Sequence, residues 1–140
     1  MSRVAGVFMV LAVCLQAISA NRPDFITDEV MEMIKDDKAR CMAEHGTTEA
    51  LIDEVNNGHL PNDKALTCYM FCLFEAFSLV DEDANLEVDM LIGFLPESMQ
   101  SIAHDLIEKC AHKSGADPCD KIFNMAKCVQ DERPDLWFMV

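Results

Sequence analysis

Six cysteines, Cys41, Cys68, Cys72, Cys110, Cys119 and Cys128, are spaced C-x26-C-x3-C-x37-C-x8-C-x8-C. An even number of cysteines in a short chain behind an export signal implies a disulfide framework, because oxidised compartments let bridges persist and small cores need them. Such a framework restricts the fold to one whose elements meet at these six points. Six cysteines alone allow many connectivities, and the spacing leaves the pairing open.

The export signal is read at the start of the chain. Arg3 supplies a positive charge, Ala5 to Leu15 is an apolar run, and Ile18-Ser19-Ala20 ends in a small residue before Asn21. The run is too short to cross about 30 Å of hydrocarbon. Residues 1–20 are therefore expected to be a signal peptide, with residues 21–140 the mature domain, and Cys14 leaves with the leader. All 25 acidic residues lie beyond residue 20, against ten Lys and Arg, a net charge of −15. That charge opposes binding to nucleic acid and to anionic membranes and favours solubility. No other stretch is apolar enough for stable membrane insertion. A mature chain of about 120 residues makes one domain with one core. There is no N-x-Ser/Thr site for N-glycosylation.

The apolar residues recur with helical period almost throughout. Helices are expected at 24–44, 48–57, 63–79, 88–93, 97–113 and 117–131. Gly46, Gly58, Pro61-Asn62-Asp63, Pro96 and Gly115 punctuate them. Thr47 or Thr48 is a candidate cap for the second helix and Asn62 or Asp63 for the third, while Pro96 and Pro118 suit first turns. On the third helix Leu66, Met70, Leu73, Phe74 and Phe77 form one stripe. Cys68 and Cys72 sit roughly opposite, and Lys64, Thr67, Glu75 and Ser78 occupy a polar arc between. A helix stapled on one side and apolar on the other is expected to be central. Met99, Ile102, Ala103, Leu106 and Cys110 share a face of the fifth helix. Ile122, Met125, Ala126 and Val129 make the stripe of the sixth, flanked by Cys119 and Cys128. These two cysteines point apart and are expected to pair with different helices.

An ordinary filled core explains any one of these residues. As a set they suggest a cavity. Eight of the ten methionines lie beyond the leader, and methionine makes an adaptable, polarizable lining. Each bridge over a loop of this size is worth ~3–4 kcal/mol, enough to tolerate an imperfect core. Leu136-Trp137-Phe138-Met139-Val140 is apolar where termini are usually polar and frayed. It is expected to fold back onto the helices or into a cavity between them, with Pro134 turning the chain. A homodimer contact is the competing reading of the same segment.

Other chemistries lack their residues. Cys68-x3-Cys72 resembles half of a metal site, but secretion and four further cysteines favour disulfides. Asp81-Glu82-Asp83-Ala84-Asn85-Leu86 begins like a calcium loop. It has Leu86 where the turn needs glycine and Ile92 where the bidentate glutamate belongs, so a solvated acidic loop is expected. His45, His59, His104 and His112 form no H-E-x-x-H pair, and His104-Asp105 lacks the adjacent cysteines of secreted phospholipases A2. No G-x-S-x-G elbow is present. Neither a catalytic residue, a cofactor site nor a metal site is expected.

The cysteine spacing resembles that of the six-cysteine insect odorant-binding proteins (the pheromone- and general odorant-binding type) across the mature chain. Local stretches are similar to hymenopteran antennal pheromone-binding proteins: Asp37-Lys38-Ala39-Arg40-Cys41-Met42, Glu44-His45-Gly46-Thr47-Thr48, Cys68-Tyr69-Met70, Glu75-Ala76-Phe77-Ser78-Leu79-Val80 and Pro134-Asp135-Leu136-Trp137-Phe138. The resemblance implies an all-α, six-helix, disulfide-stapled fold around a hydrophobic cavity, bridged Cys41–Cys72, Cys68–Cys119 and Cys110–Cys128. It implies a secreted carrier, not an enzyme, that moves small hydrophobic odorants or pheromones through sensillum lymph to an olfactory receptor.

Combined with the stripes, the resemblance places ligand against Met31, Ile34, Ile52, Met70, Leu73, Phe74 and Phe77. Leu91, Leu95, Leu106, Ile122, Ala126 and Val129 complete the expected walls. Medium-length relatives close the cavity with the C-terminal segment, so residues 133–140, with Trp137, Phe138 and Val140 in contact with ligand, are the expected lid. Tyr69, Ser78 or the backbone of Phe138 and Val140 would orient a polar group. Many relatives respond to pH, and the Val140 carboxylate near Asp53, Asn56 or a histidine is the candidate group, with the direction left open. A saposin-like lipid-interacting protein is the alternative, disfavoured by acidity and by the eight-residue spacings.

Overall fold

A computed structural model describes residues 22–140, so the leader reading and Cys14 fall outside the described residues. Six helices follow one another: α1 (Asp28–His45), α2 (Glu49–Asn56), α3 (Lys64–Ala76), α4 (Val88–Gly93), α5 (Glu97–Cys110) and α6 (Pro118–Glu132). The described residues contain no strand, and one isolated antiparallel bridge joins Val80 to Leu86. None of the helices is long and apolar enough to cross a membrane.

Local chemistry sets the helix ends. Thr27, Thr48, Asp63 and Asp117 cap α1, α2, α3 and α6 with side-chain oxygens that accept backbone N–H bonds, as helix starts require. The α1 cap at Thr27 explains why that helix begins four residues later than expected. Residues 23–26 form a turn instead, closed by the Ile26 N–H on the Pro23 carbonyl at 2.9 Å. Thr47, the other candidate cap, is buried and donates its hydroxyl to the Ala65 carbonyl at 2.6 Å, tying the α1–α2 turn to α3. Helix α3 stops at Ala76 because Ser78 adopts φ 56°. Helix α5 ends at Cys110, three residues short of the expected end, where a turn takes over. Before α6 the chain runs so close that a Cβ on Gly115 would collide with the backbone of Asp120 and Lys121.

Helix α3 lies between α1 and α6, α5 packs on α6, and α4 packs on α5. Disulfides Cys41–Cys72, Cys68–Cys119 and Cys110–Cys128 tie α1 to α3, α3 to α6 and α5 to α6. The pairing is the one the resemblance implies, and Cys119 and Cys128 do reach different helices. Leu66, Thr67 and Tyr69 of α3 are wholly enclosed, as expected of a central element.

Two expectations about faces change, at Thr67 and Ile102, and two details are added. Thr67, placed on the polar arc, is buried because α3 is covered on nearly every side. Ile102, placed on the core face of α5, is 44% exposed, and Ile107 takes its place in the core. Phe123 joins the buried face of α6, where α3 and α5 pack against it from two directions. The acidic loop is organised as well as solvated. The Asp81 carboxylate accepts from the Asp83 and Asn85 N–H groups and from the Asn85 amide, which holds it below its ordinary 3.8. Lys121 of α6 binds Asn85 and the Asp83 carbonyl, and Ala84, at φ 57°, is fully buried.

Candidate functional site

An apolar cavity of about 240 Å³ opens between α1, α3, α4 and the C-terminal segment. The turn before α1 and the helix itself contribute Phe25, Ile26, Val30, Met33 and Ile34. Met70, Leu73 and Phe74 come from α3, with Phe77 and Leu79 just beyond it. Leu91 of α4 and Phe94 and Leu95 after it form the facing wall, and Trp137, Phe138, Met139 and Val140 close the set. The side chains are aliphatic, aromatic or thioether throughout, and none carries a charge. Periodicity makes this wall: Met70, Leu73, Phe74 and Phe77 recur at the three- and four-residue steps that share a helix face. Phe77 meets Phe94 edge to face, ring centroids 6.5 Å apart, which joins the end of α3 to the end of α4.

The tail lies across its own chain. Leu136 N–H bonds the Arg133 carbonyl at 3.0 Å, and the Arg133 guanidinium grips Asp135, holding the Asp135 carboxyl below its usual range. Asn56 at the end of α2 then treats Met139 as a strand partner. Its amide donates to the Met139 carbonyl at 2.8 Å and accepts the Met139 N–H at 2.7 Å. Tyr69 donates its hydroxyl to a Val140 oxygen at 2.6 Å. Burial first, and then Glu49, push the Tyr69 phenol well above 10, so the group stays a neutral donor. Met139 is 5% exposed. The tail is thus covered by the chain that carries it.

A second, polar groove of about 570 Å³ shares Phe138, Met139 and Val140 with the apolar cavity, so the tail is a wall of both. Arg22, Lys38, Glu49, Asp53 and Asn56 line it, with Met31 and Ile52. Its cations are already engaged: Lys38 pairs with Glu49 at 3.1 Å, and Arg22 with Asp28. Among the described residues two clusters have metal-ligating residue types. In Glu44-His45-Cys72 the sulfur is committed to a disulfide, and His104-Asp105-Glu108 stands exposed on α5.

The structure divides the residues expected to meet ligand. Ile34, Met70, Leu73, Phe74, Phe77, Leu91, Leu95, Trp137, Phe138 and Val140 come together around the apolar cavity. Met31 and Ile52 face the polar groove. Ile122 and Ala126 are packed core, and Leu106 and Val129 are half-buried away from either space. Tyr69 acts on the tail, and Ser78 is exposed. Asn56 and Asp53, expected near Val140, line the polar groove with it, and the bonds of Asn56 go to the neighbouring Met139.

Phe25, Ile26, Val30, Met33, Leu79 and Phe94 line the cavity without having been singled out. The i, i+3, i+4 spacing of Val30, Met33 and Ile34 was their signal. Trp137 Nε1 is buried and has no hydrogen-bond partner, a state that costs about 1–3 kcal/mol.

The sequence profile of the PBP/GOBP family matches residues 24–132. General odorant-binding protein 69a of Drosophila melanogaster is 27% identical over 122 residues, covering 86% of this chain and 82% of its own. Odorant binding protein 5 of Apis mellifera superposes with a TM-score of 0.72 at 23% identity, over 81% of this chain and 96% of its own. At that identity the hymenopteran likeness extends to the fold alone. Odorant binding protein 7 of Anopheles gambiae, solved with four disulfide bridges in complex with an azo compound, gives a TM-score of 0.71 at 25% identity. That match covers 79% of this chain and 91% of its own.

Proposed function

Because this chain belongs to the PBP/GOBP family, we propose that it is a secreted carrier, not an enzyme, which holds small hydrophobic odorants or pheromones in the apolar cavity and carries them through sensillum lymph to olfactory receptors. On this reading residues 1–20 are removed on export, and residues 133–140 are the lid of the mature domain. Ligand lies against Ile34, Met70, Leu73, Phe74, Phe77, Leu91, Leu95, Trp137, Phe138 and Val140.

The observation that supports it is a cavity walled by apolar side chains and roofed by a hydrogen-bonded tail. Capture needs no chemistry beyond transfer from water. At the ~30 Å³ a water molecule occupies, 240 Å³ corresponds to eight non-hydrogen atoms, and at interior packing density to about ten. Each buried methylene contributes about 0.8 kcal/mol, close to fourfold in affinity.

Displacement of a fluorescent hydrophobic probe from oxidised mature protein tests the reading. Affinity is expected to rise about fourfold per methylene and to level off near ten non-hydrogen atoms. No probe uptake by protein with all three disulfides formed would mean that the cavity is not a binding site.

A further inference from the structure

Accounting for hydrogen-bond donors leaves one side chain over. Phe, Leu, Ile, Val and Met line the apolar cavity, and none of these side chains donates a hydrogen bond. Trp137 is the exception, and its Nε1–H is enclosed and unpartnered. Among the described residues the other buried polar side-chain atoms without partners, Thr67 Oγ1 and Gln130 Nε2, belong to residues that do not line this cavity. Tyr69 spends its hydroxyl on Val140, and Ser78 is exposed.

The chain on either side of Trp137 is held, while no hydrogen bond fixes the indole itself. Arg133 and Asp135 pair just before it, and the two Asn56 bonds to Met139 follow just after. Native proteins rarely leave a buried donor without an acceptor unless something outside the chain completes it. Nε1 exposes almost no surface as it stands, so a turn of the indole is what brings it to an acceptor, and the cavity that Trp137 lines gives it somewhere to turn.

We propose that the Trp137 indole N–H turns onto a hydrogen-bond acceptor of the bound ligand, so that the cavity selects apolar molecules bearing a neutral acceptor, such as a ketone, aldehyde, ester or ether, over hydrocarbons. A carboxylate is the wrong partner, because no cation lines the cavity to offset its loss of water. This selectivity rests on the carrier reading and adds to it the class of ligand.

The chain contains a single tryptophan, so one indole resonance reports on one atom. The test compares nonane with octan-2-one, equal at nine non-hydrogen atoms and within the size the cavity holds, in wild type and in Trp137→Phe. The ratio of the two Kd values, compared between the two proteins, cancels the different hydration of the ligands. Wild type is expected to show about a tenfold contribution favouring the ketone that Trp137→Phe lacks, read as the change in the Kd ratio. In 15N-labelled wild type the ketone moves the indole N–H proton downfield and nonane does not, a readout that stands even if the variant folds poorly. An unchanged Kd ratio in folded Trp137→Phe, or the same indole shift with both ligands, would overturn the proposal while leaving the carrier intact. Failure of both ligands to bind folded wild type would overturn the carrier reading and the proposal with it.

Discussion

Replacing Asn56 by alanine tests the tail as a lid. The substitution deletes both hydrogen bonds to Met139, at 2.8 and 2.7 Å, and leaves that residue's N–H and carbonyl without their partners. A net bond is worth about 0.5–1.5 kcal/mol, so the pair contributes about 2 kcal/mol to the closed tail. At 1.4 kcal/mol per decade, the open population rises about 30-fold. If ligand leaves only past an open tail, its off-rate rises by the same factor. The Kd moves less, because the same opening admits ligand. Stopped-flow release of a fluorescent probe measures the rate, and Trp137 emission, red-shifted on exposure, reports the opening. An off-rate within about twofold of wild type, with unchanged emission, would refute the lid.

Three further outcomes follow from the fold. Thr67→Val removes a buried hydroxyl without a partner and is expected to raise stability by about 1 kcal/mol in urea titration; a comparable loss would show the hydroxyl to be satisfied. Lys64 first, and the Asp120 N–H second, hold the Asp117 carboxyl below its ordinary 3.8. A depressed carboxyl contributes stability that is complete above its unfolded value and lost as pH falls through the lower folded one, so Asp117→Asn should flatten the acid limb of the stability curve below about pH 4. An unaltered acid limb would count against the depressed carboxyl, since asparagine keeps the cap. Replacing Cys68 and Cys119 together by serine opens the longest bridge, with a sequence separation of 51, and is expected to cost about 4 kcal/mol. Opening Cys110–Cys128, with a separation of 18, should cost about 3 kcal/mol, and the reverse order in denaturant titration would overturn the loop-entropy account.

The helical class, the six elements, the caps at Thr48 and Asp63 and the centrality of α3 were legible from local signals. A cap acts on the N–H groups two and three residues ahead, and periodicity is a property of one helix. The disulfide pairing was legible through the resemblance alone, since spacing does not choose among connectivities. Boundaries failed where a local conformation cut a helix short, as at Ser78 with φ 56°.

The site divides along the same line. The sequence by itself determined that α3 carries an apolar face and that the tail is too apolar to stay in water. Only the tertiary structure decided which apolar faces look into space and which are filled. Ile122 and Ala126 carry the same pattern as Met70 and Leu73, yet α3 covers them, while the gap beside α4 leaves Leu73 bordering a cavity. Periodicity orients a side chain about its own helix axis and says nothing of how far away the neighbouring helix stands. The Asn56 clamp on Met139, 83 residues along the chain, and the unpartnered Trp137 N–H arise from that same long-range arrangement, which no local signal records.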